Sequence, residues 1–472
     1  MKKITVFGLA LVLVLATAGT AAADVDLSGS LKTDLIWDAD AETLLDAETF
    51  NLVMERDFGF DADMTVDFQV DSYRTDQVVV PDEDGNMMIV NLPQTTRETD
   101  VEISEAYVNY YTTNIDWRLG KQEINWGSAY KLQPTDYFNP QDLTGLNPLD
   151  EKVGVKAVRG TYYAPRNIEI TGVVTPFFDS HKMRDVDQVS RMQQMAGSIN
   201  DSIDDMFKSA LKRKLEDQYH ENIYNETYEN LNTYQINIGK VEDDVENSQA
   251  GAKFTKRRLG DFDVSLSAYH GRDKLPTVDE EKVAEESERL ITEYLKEYGT
   301  DLENAEKDFA EYHADENLDF IIYPEANRLG FDLIGDLGEI GVWTEMTYSF
   351  YDDDQFDDRL EAALGADRRF GNDLYLVGQY YHRSGRIDAE DDIHLANIYF
   401  DKPVGDFHEI EMTTLYEFET ETYFLEPQFN YSLADSTVLE IGATYADSDG
   451  DQTGMLDSLA EERIYTRLKV DF

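Results

Sequence analysis

The chain has 472 residues, no cysteine, and 97 acidic against 41 basic side chains, for a formal net charge of −56. Such a charge repels phosphate and excludes nucleic acid as a partner, and the lack of cysteine excludes thiolate metal sites, disulfides and cysteine nucleophiles. An aromatic content of 12% argues against disorder, and beyond the N-terminus no apolar run approaches the ~18 residues that a spanning helix needs.

Lys2 and Lys3 precede an apolar run from Ile4 to Ala18, and Ala21, Ala22 and Ala23 precede Asp24. A basic start, a short apolar core and a small-residue cleavage site together read as a secretory signal over 1–23. The apolar core is short for a membrane anchor, and no cysteine follows it to carry a lipid. The mature chain, 24–472, is expected to leave the cytoplasm as one domain.

From residue 25 onward the polarity alternates with period two. Met64, Val66, Phe68 and Val70 alternate with Thr65, Asp67, Gln69 and Asp71. Eighteen candidate strands follow near 25–36, 49–57, 61–73, 101–112, 115–124, 153–163, 168–178, 250–258, 261–271, 327–336, 341–351, 358–370, 373–382, 392–400, 408–418, 421–431, 436–447 and 462–472. Segments of about ten residues with this pattern and frequent aromatics suit transmembrane barrel strands, although a soluble sandwich alternates in the same way. The joints separate the two. After even-numbered strands they are tight, as at Thr113-Asn114, Gly260 and Gly371-Asn372. After odd-numbered strands they are mostly long and acidic: 74–100, 125–152, 179–249, 272–326, 383–391 and 448–461. An outer-membrane barrel, with short periplasmic turns and long outward loops, produces that parity. The expected fold is therefore all-β, an antiparallel up-and-down barrel of 16–18 strands.

The stretch Arg118-Leu-Gly-Lys-Gln-Glu-Ile-Asn-Trp-Gly127, continuing to Tyr137-Phe-Asn-Pro-Gln-Asp142, stands out. Trp126 and Gly127 suit an aromatic girdle at the outer rim. The loop after them carries Tyr130, Pro134, Tyr137, Phe138, Pro140 and Pro148 and is stiff. It either folds inward, with Trp126, Tyr130, Tyr137 and Phe138 narrowing a channel, or packs on itself outside. This Gly-Lys/Arg-Gln, Trp-Gly, Asn-Pro-x-Asp segment resembles one found in an uncharacterised family of outer-membrane barrels, to which alginate-export-type porins are similar. The resemblance covers residues 118–142 and implies a wide monomeric channel; it implies no particular solute.

Two later segments depart from the strand pattern. Val189, Met192, Ala196, Ile199 and Ile203 recur at helical spacing within 183–225, as do Val283, Leu290, Ile291, Tyr294 and Leu295 within 279–312. Two helical extracellular insertions are expected there, at about 179–249 and 272–326, forming a lid, a plug or a pair packed on each other. Acidic runs at Asp352–Asp354, Asp357 and Asp358, and at Asp447, Asp449 and Asp451, lack the spacing of a calcium loop and read as solvated.

With the apolar face taken as lipid-facing, Asp63, Asp67, Asp71, Glu361, Asp367, Glu409, Glu411, Glu417, Glu426 and Glu440 point inward, opposed by Arg118, Arg369, Arg463, Arg467 and Lys469. The acidic excess predicts a preference for cations. The last strand alternates Ile464, Thr466, Leu468, Val470 and Phe472 against polar residues. It resembles the terminal strand that the assembly machinery of bacterial outer membranes recognises.

The seven histidines (His181, His220, His270, His313, His382, His394 and His408) accompany no nucleophile motif and no phosphate loop. No catalytic residue, cofactor or metal is expected. The partners expected are outer-membrane lipid, the assembly machinery and small solutes. The reading is a passive, cation-preferring channel in the cell outer membrane. A non-conducting surface barrel whose long loops bind a partner or polymer is the alternative, and a barrel hydrolase using His270 or His382 is a distant third.

Overall fold

The structure is a computed structural model. It describes residues 25–38, 43–81, 87–144, 151–184, 189–190, 236–238, 241, 247–285, 289, 318–353, 355–384, 392–447, 456 and 462–472. The signal over 1–23 lies outside them.

Among the described residues twenty-one strands occur in chain order: β1 (Asp26–Asp38), β2 (Thr43–Asp57), β3 (Ala62–Pro81), β4 (Met87–Tyr111), β5 (Ile115–Gln122), β6 (Val155–Ala164), β7 (Ile168–Thr175), β8 (Ile236–Ile238), β9 (Gln249–Leu259), β10 (Phe262–Arg272), β11 (Thr277–Val278), β12 (Leu318–Ile322), β13 (Glu325–Leu337), β14 (Ile340–Tyr351), β15 (Arg359–Arg369), β16 (Tyr375–Arg383), β17 (Ile393–Val404), β18 (His408–Glu417), β19 (Thr422–Ala434), β20 (Thr437–Asp447) and β21 (Arg463–Asp471). Eighteen of them form one antiparallel sheet. β7 pairs with β9, β10 pairs with β13, and β21 returns to β1 in a register running from Ser30 opposite Asp471 to Asp38 opposite Arg463. The sheet is a closed barrel.

Alternation decides which way each side chain points. Leu266, Leu329, Leu364, Ile398, Ile441 and Ile464 are exposed on the outside. Aromatics ring both ends of that belt: Tyr348, Phe350, Tyr380 and Phe418 at one end, Phe60, Tyr110, Tyr162 and Phe407 at the other. A continuous apolar belt between aromatic girdles, on a sheet whose strands pair all the way round, is built to sit in lipid. Among the described residues no helix is long and apolar enough to cross a membrane; the strands do the crossing, and the protein is an outer-membrane barrel.

Tight turns gather at one end, where Gly59, Gly260, Gly338 and Gly405 supply positive φ. The opposite end, called the outer end here, carries the longer connections. The connection expected over 74–100 is instead mostly strand: β3 and β4 continue their pairing from Gln77 opposite Asn91 to Pro81 opposite Met87. Val78, Val79 and Val80 on one side and Met87, Met88, Ile89 and Val90 on the other favour extended backbone.

The two helical insertions are not seen as such. Most of 183–225 and 279–312 lies outside the described residues, and what is described contains one short helix, 280–285. Asp279 caps it, its carboxyl accepting from the Lys282 amide at 2.9 Å. The ends of the two long connections pair as strands instead: β12 lies between β8 and β11 in a small separate sheet.

Candidate channel constriction

The segment between β5 and β6 turns into the barrel. Asn139 staples its two ends, accepting from the Ile124 amide at 2.7 Å and donating to the Val153 carbonyl at 2.8 Å. The far side of the loop then crosses to the opposite wall. Glu345 of β14 accepts from the amides of Ser128, Ala129 and Thr135 and from the Thr135 hydroxyl at 2.9 Å. Gln379 of β16 accepts from the Tyr130 amide at 2.8 Å and donates to the Tyr130 and Leu132 carbonyls at 2.8 and 3.2 Å. Lys253 of β9 donates to the Trp126 carbonyl, and Thr347 donates to the Pro134 carbonyl at 2.8 Å. A loop withdrawn from water needs partners for its backbone groups, and inward side chains of the wall provide them.

Aromatic packing completes the seat. Trp126, Tyr137 and Phe138 are 5%, 2% and 0% exposed. Trp126 and Tyr269 each lie edge-on to Phe138 at 5.0 Å between centroids, pairs worth about 0.5–1.5 kcal/mol each beyond burial. The wall makes room with glycine: a Cβ at Gly251 would lie 2.9 Å from both Phe138 and Trp126, and one at Gly330 would strike the Tyr137 hydroxyl. Tyr130 packs on Tyr399 at 5.4 Å. Gly120 brings β5 hard against β4 at a φ of 134°. Trp126 is thus not a rim residue, because its ring turns inward onto Tyr137 and Phe138 rather than toward lipid.

What remains open is charged. Beside β1–β5 and β21 lies a cavity of about 650 Å³, lined by eleven acidic and eight basic side chains. Arg467 grips Asp34 with two bonds of 2.7 and 3.1 Å and stands 3.6 Å from Glu440. Lys182 reaches Asp142 and Glu102, each at 3.0 Å. Burial alone would lower Lys182, but those two carboxylates outweigh it and hold it above its ordinary value. Burial pushes Glu151 up, and burial with Glu105 pushes Glu123 up.

Across the loop lies a smaller cavity of about 300 Å³ in which cations outnumber anions, among them Lys274, Arg328 and Arg359. Asp273 binds the Tyr351 hydroxyl at 2.8 Å and Arg359 at 3.3 Å, and pairs with Arg328. Lys274 donates to Gln249 at 2.9 Å and lies over the Phe178 ring. Burial, helped by Arg328, lowers it to about 7. A lysine depressed in the folded state makes stability rise with pH between that value and its unfolded value near 10.4. In Lys274→Met the rise between pH 7.5 and 10 is expected to shrink by an amount on the order of a few kcal/mol, read as the difference in urea midpoints of the lipid-inserted protein. Equal slopes in the two proteins would refute it.

The residues expected on the inner wall are distributed among three cavities and the strands between them. Asp67, Asp71 and Arg467 line the larger cavity. Glu361 lies at the smaller one, held by Arg359 at 2.9 Å and by Tyr381 at 2.8 Å. Asp367 borders a third space of about 550 Å³ that also touches Ser128 and Tyr130. The remainder are spread along the wall: Asp63 with Asn109 and Tyr111, Arg118 with Asn109, Glu411 with Tyr399 and Asn430, Arg369 near Asp401, Lys469 with Asp471. Glu409 neighbours Asp401 and Arg369. Glu417 is buried and accepts from the Leu456 amide at 3.1 Å, and Glu426 is buried in the same wall. No single ring gathers them. Arg463 joins the larger cavity.

Sequence reasoning passed over Glu345, Gln379 and Asp273. Glu345 carries a signal: it is a lone acid amid Trp343, Thr347 and Ser349 on the inward face of β14. The acidic runs are spent locally, with Asp358 accepting from Tyr348 and Tyr351, Asp353 from Gln355, and Asp447 from Tyr423; Asp354, Asp449 and Asp451 lie outside the described residues.

A family model described as "Protein of unknown function (DUF1302)" matches residues 53–463. No curated protein matches the chain. Among solved structures, Acinetobacter baumannii OccAB4 is similar at 8% identity over 95% of this chain and 98% of that one, with a TM-score of 0.47. Pseudomonas aeruginosa OccK5 is similar at 8% identity over 95% and 97%, TM-score 0.47. OmpT, an outer membrane protein of Vibrio cholerae, is similar at 10% identity over 95% and 99%, TM-score 0.37.

Proposed function

The chain belongs to the DUF1302 family, and from that premise we propose that it is a constricted diffusion channel for small solutes with a preference for cations. The observation that carries the reading is the inward loop. A segment tied to β9, β14 and β16 from within leaves passages rather than an open bore. Channels of this kind select by the width of the narrowest passage and by the charges lining it. Transit is passive, with no catalytic step. The acid-rich cavity beside β1–β5 is the favoured cation path, and its lysines and arginines brace the wall through pairs such as Arg467–Asp34. Docking of β21 on the assembly machinery belongs to the same reading.

Planar-bilayer recording across a KCl gradient tests it. The expected result is steady conductance with a cation-selective reversal potential. Neutralising three cavity carboxyls together (Asp71→Asn, Glu102→Gln, Glu123→Gln) is expected to move that potential toward zero. An anion-selective reversal potential would overturn the charge assignment. Silence from folded protein would favour a non-conducting surface barrel.

A further inference from the structure

On the outside of the barrel, at the outer end, two histidines face each other. His382 on β16 and His394 on β17 are directly paired across the strands, and their rings stack at 4.6 Å. Asp392, just before β17, adds a carboxyl, and one ligand atom from each of the three lies within 4.8 Å of the others. Glu419, in the turn between β18 and β19, accepts from the His394 amide at 2.9 Å and stands 3.7 Å from its Nε2. The Tyr380 hydroxyl meets His394 at Nδ1, and Tyr380 is itself exposed enough to turn away. His382 Nδ1 is buried without a hydrogen-bond partner, an arrangement that costs free energy unless something else binds there.

We propose that His382, His394 and Asp392 form a site for a divalent transition-metal ion of the zinc, nickel and copper group, with Glu419 orienting His394. The donor set selects the metal class. Two imidazoles suit borderline ions, whereas calcium and magnesium require oxygen ligands throughout. Two carboxyl groups beside two neutral imidazoles match the charge of one divalent ion. A carboxylate at the second nitrogen of a ligating histidine is the usual means of fixing its ring. Bound there, the ion ties the β16–β17 hairpin to the neighbouring turn on the face that meets the outside medium. The channel chemistry in the lumen does not use these residues.

The test is calorimetric titration of the untagged mature protein, stripped with a chelator and held in detergent, with ZnCl₂. Co²⁺ serves as a visible-absorbance probe of the same site. One saturable site per chain is expected. Asp392→Asn and Glu419→Gln keep side-chain size and are expected to weaken binding by about 10–100-fold. His382→Ala and His394→Ala should lose at least as much, while His408→Ala, at the opposite end of the barrel, should bind as wild type. Retained heat-shifted migration in SDS gels shows that each variant is folded. No saturable binding, or undiminished binding by the folded His382→Ala/His394→Ala double variant, overturns the proposal.

Discussion

Replacing Glu345 by alanine is expected to widen the channel. This one carboxyl accepts from three loop amides and one loop hydroxyl, all of them buried except the half-buried Ser128 amide. Each buried donor left without a partner costs about 1–3 kcal/mol, so the loop's hold on β14 falls by several kcal/mol in sum. The barrel itself keeps its strand ladder, because position 345 contributes to it through the backbone. The expected recording is a severalfold larger single-channel conductance with increased open-channel noise. Glu345→Gln, which can still accept through one oxygen, should fall between the two. Adding Gln379→Ala should enlarge the effect, since Gln379 holds Tyr130 and Leu132 independently. Wild-type conductance and noise in the folded Glu345→Ala protein would mean that the 123–154 segment is not what limits flow.

The largest loss of stability is expected from Asp273→Ala. Arg328 and Arg359 both reach this carboxyl, and both guanidiniums are nearly buried. Removing an acid from such a group leaves positive charge without compensation, a change that costs about 3–5 kcal/mol. Burial alone would raise Asp273, but Arg359 and Arg328 outweigh it and hold the carboxyl below its ordinary value. A depressed acid contributes stability that is present above the unfolded value near 3.9 and is lost as the pH falls through the lower folded value. Wild type should therefore lose in strong acid a share of stability that Asp273→Ala already lacks at neutral pH. Urea titration in lipid at pH 7.5 and at pH 3 measures both. A variant within about 0.5 kcal/mol of wild type at neutral pH, the range of an ordinary surface substitution, would contradict this account.

Local alternation was enough to place every barrel strand, because in a barrel the two faces of each strand meet different solvents. Residues such as Leu266 and Ser267 declare their sides without knowledge of any partner. The β3–β4 extension was missed and read as a loop over 74–100, although three valines and the Met87–Val90 run flank Asp84-Gly85-Asn86, a hairpin signal masked by the surrounding acids. The fate of Trp126 was not legible. Its neighbours Tyr137 and Tyr269 depend on a loop fixed by Glu345, more than two hundred residues away, and period-two reading carries no information across that distance. The pairing of His382 with His394 likewise needs the register of a hairpin, which residue spacing alone does not supply. The helical spacing in 279–312 is matched by described helix only at 280–285, and most of that segment lies outside the described residues.

The seam between β1 and β21 bears on how the barrel comes into being. Every other wall contact joins strands that are neighbours in the chain or are separated by one connection. The seam joins residues more than four hundred positions apart, with Gly29 and Phe472 exchanging backbone bonds of 3.0 Å and Phe472 stacked on Phe50. Contacts at that separation carry the highest loop-closure entropy in the molecule and form slowly. Until they form, β1 and β21 each present an unpaired edge able to recruit another chain. Closure is thus the expected last step of maturation, and the interval before it is when the protein is most prone to aggregate.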